Sequence, residues 1–156
     1  MKIRYPARFT PNEKQEGFDV TLPHLGGGDL EWCTWGGTLD EARMLASELV
    51  TSYLDLCAKC NDEILPSPIA LPDGEGWEWA RPEIGAELAI EIRAIRLERG
   101  LTQVQAADLM GVKQSTYSRW ESPAKCNPTV ATLQRLSRVF HAELTVAVAR
   151  RAARVS

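Results

Sequence analysis

The sequence has no long apolar run. None of its apolar stretches approaches the roughly 18 residues that a membrane-spanning helix requires, so we expect no association with a membrane. The first nine residues, MKIRYPARF, lack an apolar core followed by a cleavage site, and we therefore expect no signal peptide. With 44% hydrophobic and 25% charged residues among 156, the composition predicts a cytoplasmic globular protein of one or two small domains.

Residues that commonly bind metals are also few, with four cysteines and two histidines. Cys57 and Cys60 form a CxxC pair, a spacing found in zinc sites and thiol redox motifs. A structural zinc site normally needs a second pair of ligands, whereas His24 and His141 are isolated in the sequence. Both thiols also continue an apolar helical stripe, so we interpret them as buried free cysteines and predict no metal site and no cofactor.

Charge is unevenly distributed along the chain. Residues 1–85 carry 7 Lys and Arg against 15 Asp and Glu, a net charge of −8. Residues 86–156 carry 11 against 6, a net charge of +5. A basic segment suits a polyanion such as DNA, and an acidic segment suits a basic protein. The asymmetry therefore predicts two domains with different partners, although chance drift of surface charge would give the same pattern.

The first 70 residues predict a small antiparallel sheet with one helix. Residues 2–10 and 18–22 alternate in hydropathy, and the segment 30–35 is a third strand candidate. Pro6 cannot donate a ladder hydrogen bond, which predicts that the first strand is an edge strand or a bulged one. Thr38 and Glu41 have the spacing of a capping box, so a helix is expected from there to about Cys60.

The same region offers no candidate for catalysis. Its acidic residues fall mainly in turns or on solvated helix faces, so we predict no catalytic residues and no enzymatic activity. The glycines at 26–28 could suggest a phosphate loop, but the lysine and the strand–loop–helix context are missing, and we interpret them as a flexible loop. Residues 71–82 are interpreted as a linker that includes a possible strand, WEWA.

The region from residue 83 onwards predicts a helical domain. Gly100 ends one amphipathic helix, and Thr102 with Gln105 forms a capping box for a short helix over 103–110. Gly111 then suits the left-handed conformation of a sharp turn between two helices. The helix after the turn buries Tyr117 and Trp120. Its outward residues are Lys113, Gln114, Ser115, Ser118 and Arg119. Gln and Arg side chains on a basic domain suit base contacts in the DNA major groove.

The stretch IRAIRLERGLTQVQAADLMGVKQSTYSRWE resembles the helix-turn-helix of the phage-repressor, or XRE-type, family. The residues that carry the resemblance are Gln103, Ala107, Gly111, Val112 and Trp120. It implies that Gln103 contacts phosphate and that Lys113, Gln114, Ser115 and Arg119 face bases. It also implies a structural ion pair between Arg96 and Glu121. The inserted SPAKC segment leaves open whether Lys125 or Asn127 contacts phosphate.

Residues 3–69 resemble the HicB antitoxin family through GTLDEA, the helix that follows it and LPSP. The resemblance implies a partial RNase H-like fold without catalytic carboxylates and, as a partner, a small basic RNA-cleaving toxin, HicA. We therefore expect an α+β protein with an antitoxin domain at 1–70 and a helix-turn-helix domain at 83–156. That protein would repress its own operon, and the sequence does not identify the residues that contact the toxin.

Two alternatives remain open at this stage. One is a ligand-responsive XRE-type repressor, which would need an apolar pocket in its first 70 residues. The other is an enzyme such as a nuclease. A terminal strand predicted at 143–149 is too short to be stable alone, so pairing with a second copy would give a homodimer or a larger even-numbered oligomer.

Overall fold

The computed structural model describes residues 3–25 and 31–144. They form an α+β structure, as predicted. The elements are β1 (Tyr5–Asn12), β2 (Gly17–Leu22), β3 (Trp32–Gly36), α1 (Leu39–Cys60), β4 (Trp77–Ala80), α2 (Ile84–Glu98), α3 (Gln103–Met110), α4 (Gln114–Trp120) and α5 (Val130–Val139). The glycines at 26–28 and most of the predicted strand at 143–149 lie outside the described residues. Among the described residues, no helix is long and apolar enough to cross a membrane.

The strands form a four-stranded antiparallel sheet in the order β3-β2-β1-β4. The prediction of an edge strand was wrong for β1, which is central. The reason is that β4 pairs with its first half, from Tyr5–Ala80 to Arg8–Trp77, whereas pairing with β2 begins only at Arg8–Thr21. Pro6 therefore lies where β1 is paired on one side alone, so its missing N–H removes no bond from the β1–β2 ladder.

Helix α1 covers one face of the sheet. Thr38 accepts a hydrogen bond from the backbone N–H of Glu41 at 3.1 Å, as expected of an N-cap. The second half of the predicted capping box differs, because the Glu41 carboxylate accepts from the N–H of Gly37 at 2.8 Å. The apolar stripe of α1 meets alternate residues of β1 and β2. This first core includes Tyr5, Ala7, Val20, Leu22, Ala46, Val50 and Leu54.

The prediction of two buried thiols was correct only for Cys57. Cys60 is exposed, because it belongs to the last residues of α1, beyond the part of the helix that the sheet covers. Burial is the main cause that raises the pKa of the Cys57 thiol. Within the described residues, no group of three or more His, Cys, Asp or Glu side chains could hold a metal ion.

The helices α2 to α5 enclose a second core. Its fully buried members include Ala89, Ala106, Met110 and Tyr117. Helix α2 begins at Ile84 with Glu83 as its N-cap, so Pro82 lies just before the helix. Gly100 has a φ of 64° and follows the end of α2, as predicted. The second core is separate from the first, and α1 and α2 lie between the two.

Candidate nucleic-acid interface

The start of α3 is fixed by a reciprocal cap. Thr102 accepts from the N–H of Gln105 at 3.2 Å, and the Gln105 side chain accepts from the N–H of Thr102 at 2.9 Å. Both bonds satisfy backbone donors that a helix leaves unpaired at its N-terminus. The capping box predicted from the sequence is therefore confirmed, and α3 has the predicted bounds of 103 and 110.

The turn between α3 and α4 depends on Gly111. Its φ of 61° and ψ of 37° lie in the left-handed region, which glycine adopts without a steric penalty. The N–H of Val112 donates to the carbonyl of Ala107 at 3.0 Å, closing the end of α3. Ala107 itself is buried and Val112 packs against the second core. The sequence thus predicted the turn and its supporting residues correctly.

A buried ion pair between Arg96 and Glu121 connects the helices around the turn. The Nε of Arg96 lies 2.6 Å from Oε1 of Glu121, and its Nη2 lies 2.9 Å from Oε2. The third nitrogen, Nη1, donates to the carbonyl of Leu101 at 2.6 Å. The hydrogen bonds to Glu121 and its negative charge raise the pKa of Arg96, although burial opposes them. One buried guanidinium therefore connects α2, the α2–α3 turn and the residue after α4.

Helix α4 separates a buried face from an exposed one. The Tyr117 ring is fully buried and meets the half-buried Trp120 edge-on, with ring centroids 5.8 Å apart. Five residues that we predicted to contact DNA lie on or beside the other face, of which all but the partly buried Ser118 are exposed: Lys113, Gln114, Ser115, Ser118 and Arg119. The arrangement therefore leaves these side chains accessible to a ligand, and their contacts with DNA stay a prediction.

Two features of this face were missed by sequence reasoning. Thr116 is also exposed on α4, and a threonine hydroxyl and methyl group suit base edges. The Ser118 hydroxyl donates to the carbonyl of Ser115 at 3.1 Å, so it is engaged with its own helix. Because Thr116 directly follows Ser115 on the same short helix, the sequence could have indicated that it is exposed. The hydrogen bond of Ser118 depends on its side-chain rotamer, which the sequence does not show.

Gln103 forms an unpredicted bridge between the two helices of the motif. Its side-chain oxygen accepts from Nε2 of Gln114 at 3.0 Å, and its Nε2 donates to Oε2 of Glu121 at 3.0 Å. A chain of hydrogen bonds thus runs from the buried Arg96 to the exposed Gln114. Gln103 was predicted to contact phosphate, and the second N–H of its amide is compatible with that role. The bridge holds Gln114 in a defined orientation at the start of α4.

The turn after α4 adds further positive charge. Lys125 and Asn127, the two candidates for a phosphate contact, are both exposed. An open groove of about 690 Å³ lies between this turn and the start of α2, and both Arg119 and Lys125 line it. Burial raises the pKa of the neighbouring Cys126 thiol to about 11, so this thiol stays neutral. The exposed side of the motif therefore combines amides, hydroxyls and cations.

A comparison with protein families also identifies a helix-turn-helix in this part of the chain. Residues 92–146, about a third of the chain, match the model of a helix-turn-helix family of the XRE type. A comparison with curated proteins gave no match. The matched segment contains α3, the Gly111 turn and α4. The chain therefore carries a helix-turn-helix DNA-binding domain, and the protein is a DNA-binding transcriptional regulator.

Proposed function

We propose that the protein is the antitoxin of a HicA/HicB-like toxin–antitoxin pair. Its helix-turn-helix domain would repress its own operon, and its N-terminal domain would bind and neutralise a small basic RNA-cleaving toxin. The observation that carries the proposal is the fusion of a basic helix-turn-helix domain to an acidic sheet-and-helix domain. The proposal implies a cytoplasmic, non-enzymatic protein that acts as a dimer or a larger even-numbered oligomer.

The N-terminal domain has an acidic surface on α1 that supports this proposal. Asp40, Glu41 and Glu48 are exposed along the helix, Asp40 is paired with Arg43 at 3.0 Å, and Met44 is 55% exposed beside Glu48. A toxin that grips RNA carries a basic surface, because it must attract phosphates. An acidic face with an apolar side chain within it offers both charge complementarity and burial to such a partner.

A ligand-responsive repressor is supported less well. Its sensor pocket would have to lie in the N-terminal domain. One groove there has about 420 Å³ and is open. Phe9, Phe18 and Leu39 line it together with the charged Arg8 and Glu75. Small-molecule sites usually bury most of the ligand, which an open groove does not achieve.

Co-expression with the product of the neighbouring gene tests the proposal. We expect a stable complex with a small basic protein whose expression alone arrests growth, and relief of that arrest by this chain. Glu48→Lys should weaken the relief by charge repulsion, whereas Glu63→Lys, at an exposed acid beyond α1, should not. Absence of a complex, or growth arrest that the chain does not relieve, would contradict the antitoxin role.

A second pair of changes separates DNA binding from neutralisation. Gln114→Ala with Arg119→Ala removes two exposed side chains of α4 and leaves Tyr117 and Trp120 in the core. Each lost bidentate base contact removes about 1–3 kcal/mol of discrimination, so repression of a reporter should be lost. Relief of growth arrest should persist when both genes are expressed from a foreign promoter. Normal repression by this variant would show that α4 does not contact the bases.

A further inference from the structure

One carboxylate of the N-terminal domain contacts the DNA-binding domain at the turn that follows α4. Asp55, in the second turn from the end of α1, is only 7% exposed. Its Oδ1 accepts from the Ser122 hydroxyl at 2.9 Å and from the Ala124 N–H at 3.2 Å. Its Oδ2 lies 2.6 Å from Nζ of Lys59. A buried carboxylate is tolerated because these donors replace the water it has lost.

The turn that Asp55 holds connects α4 to the segment with Lys125. Inside the turn, the carbonyl of Ser122 accepts from the N–H groups of Lys125 and Cys126, at 3.0 and 2.8 Å. Glu121, immediately before the turn, is fixed by Arg96, and Pro123 within it is fully buried. The turn is therefore rigid, and Asp55 fixes its position relative to α1.

Other contacts of the same helix face confirm that α1 is a docking surface for the second domain. The hydroxyl of Thr51, one turn before Asp55, accepts from the N–H of Glu83 at 3.0 Å. One turn after it, the carbonyl of Ala58 accepts from Arg93 at 2.7 Å. These three residues follow one another at helical spacing along one stripe of α1. The N-terminal domain thus contacts the DNA-binding domain over three consecutive turns.

We propose that Asp55 is a positioning residue for DNA recognition, which fixes the end of α4 and Lys125 in the orientation that binds the operator. The proposal rests on the DNA-binding part of the proposed function and makes operator affinity dependent on the N-terminal domain. Without the carboxylate, the Ser122 hydroxyl and the Ala124 N–H lose their common acceptor, and the turn that carries Lys125 loses these bonds to α1.

The sign of the effect distinguishes positioning from simple electrostatics. Asp55 is negative, so its removal should strengthen binding to a polyanion if charge alone mattered. Positioning predicts the opposite, a weaker complex after Asp55→Ala. Asp55→Asn keeps a side-chain oxygen for Ser122 and Ala124 and should largely retain the wild-type affinity. Glu48→Ala removes a charge from an exposed position of the same helix and measures the electrostatic effect by itself.

The experiment uses full-length variants and a duplex that the wild-type chain selects from random-sequence DNA. We expect Asp55→Ala to weaken binding about tenfold, the size of a typical coupling between sites. Lys125→Ala should also weaken binding. The affinity of the double variant should be close to that of the single variant that binds DNA less tightly, because both changes affect the same contact. Additive losses would show that Asp55 acts independently of Lys125 and would overturn the proposal.

Amide hydrogen exchange provides a readout that needs no DNA. The Ala124 N–H should exchange faster in Asp55→Ala than in the wild type, and nearly as slowly in Asp55→Asn. If Asp55→Ala unfolds, Asp55→Asn together with Ser122→Ala replaces it. Wild-type affinity in folded Asp55→Ala contradicts this inference alone. Absence of any DNA selected by the wild-type chain contradicts the proposed function, and the inference with it.

Discussion

Arg96 and Glu121 form a two-pronged ion pair with 2.6 Å between Nε and Oε1, and both side chains are nearly inaccessible to solvent. The pair joins the end of α2 to the residue that follows α4. Because the carboxylate also accepts from Gln103, it lies at the centre of the helix-turn-helix. Its integrity should therefore decide both the stability of this domain and the orientation of α4.

Glu121→Ala should destabilise the domain strongly. It leaves the Arg96 guanidinium buried with only the Leu101 carbonyl as an acceptor among its described contacts. Breaking a buried pair in this way typically costs about 3–5 kcal/mol, which urea denaturation would measure. The double variant Arg96→Met with Glu121→Leu removes both charges and should recover most of the loss. Equal losses in the single and double variants would contradict the argument.

Gly111→Ala should lower the free energy of unfolding by about 1–2 kcal/mol, the cost of a left-handed residue with a side chain. A Cβ at this position would lie 2.9 Å from Nη2 of Arg135, the mobile end of a long side chain that can move away. Gly100→Ala is the matched control, because its φ is also positive and nothing lies within 4 Å. Similar losses of unfolding free energy in the two variants would support backbone strain as the cause. A much larger loss in Gly111→Ala would indicate a steric clash of the new methyl group.

Operator DNA should contain an inverted repeat. Two copies of the motif related by a two-fold axis bind half-sites about one helical turn, or roughly 34–36 Å, apart, or a multiple of that distance. Affinity measured by fluorescence anisotropy should fall steeply as salt rises, because exposed cations such as Lys125 displace counterions from the phosphates. Equal affinity at low and physiological salt, or a monomer in light scattering, would contradict this arrangement.

Acid should weaken the contact between the two domains. Burial raises the pKa of Asp55, but hydrogen bonds from Lys59, Ala124 and Ser122 lower it by more, so that it lies below its ordinary value of 3.8. The ionised carboxylate therefore stabilises the fold above the unfolded-state pKa, and this contribution is lost as the pH falls through the folded-state pKa.

Comparing the wild type with Asp55→Asn in urea isolates this effect. The difference in free energy of unfolding should be constant near neutral pH and should shrink as the pH falls below about 4. Asp62→Asn, at an exposed acid just after α1, serves as the control for the loss of one negative charge. If the difference in free energy of unfolding stays the same in acid, ionisation of Asp55 does not contribute to stability.

Local signals in the sequence predicted the parts of the structure that depend on neighbouring residues. The caps at Thr38 and Thr102, the turn at Gly111 and the short strand 77–80 each follow from a few adjacent residues. The pair Arg96–Glu121 came from the family resemblance, since 25 residues separate the two and no periodicity connects them. Local patterns and the family resemblance both describe contacts within one domain.

Several of the unpredicted features join residues that are separated in the sequence. Asp55 and Ser122 are 67 residues apart, and hydropathy cannot show which polar residue of a helix meets another domain. The bridge from Gln103 to Gln114 also depends on the angle between two helices. The central position of β1 escaped prediction for a similar reason, because it depends on pairing with β4 some 70 residues later.

That pairing has a consequence for synthesis on the ribosome. Strand β4 completes the sheet on the outer side of β1, so the first domain cannot finish folding until Ala80 has emerged. Domains generally fold in the order in which they are made. Only three residues separate Ala80 from the start of α2, so the nascent DNA-binding domain begins to emerge as soon as the first domain closes. The first domain can thus complete its fold before the chain is able to bind DNA.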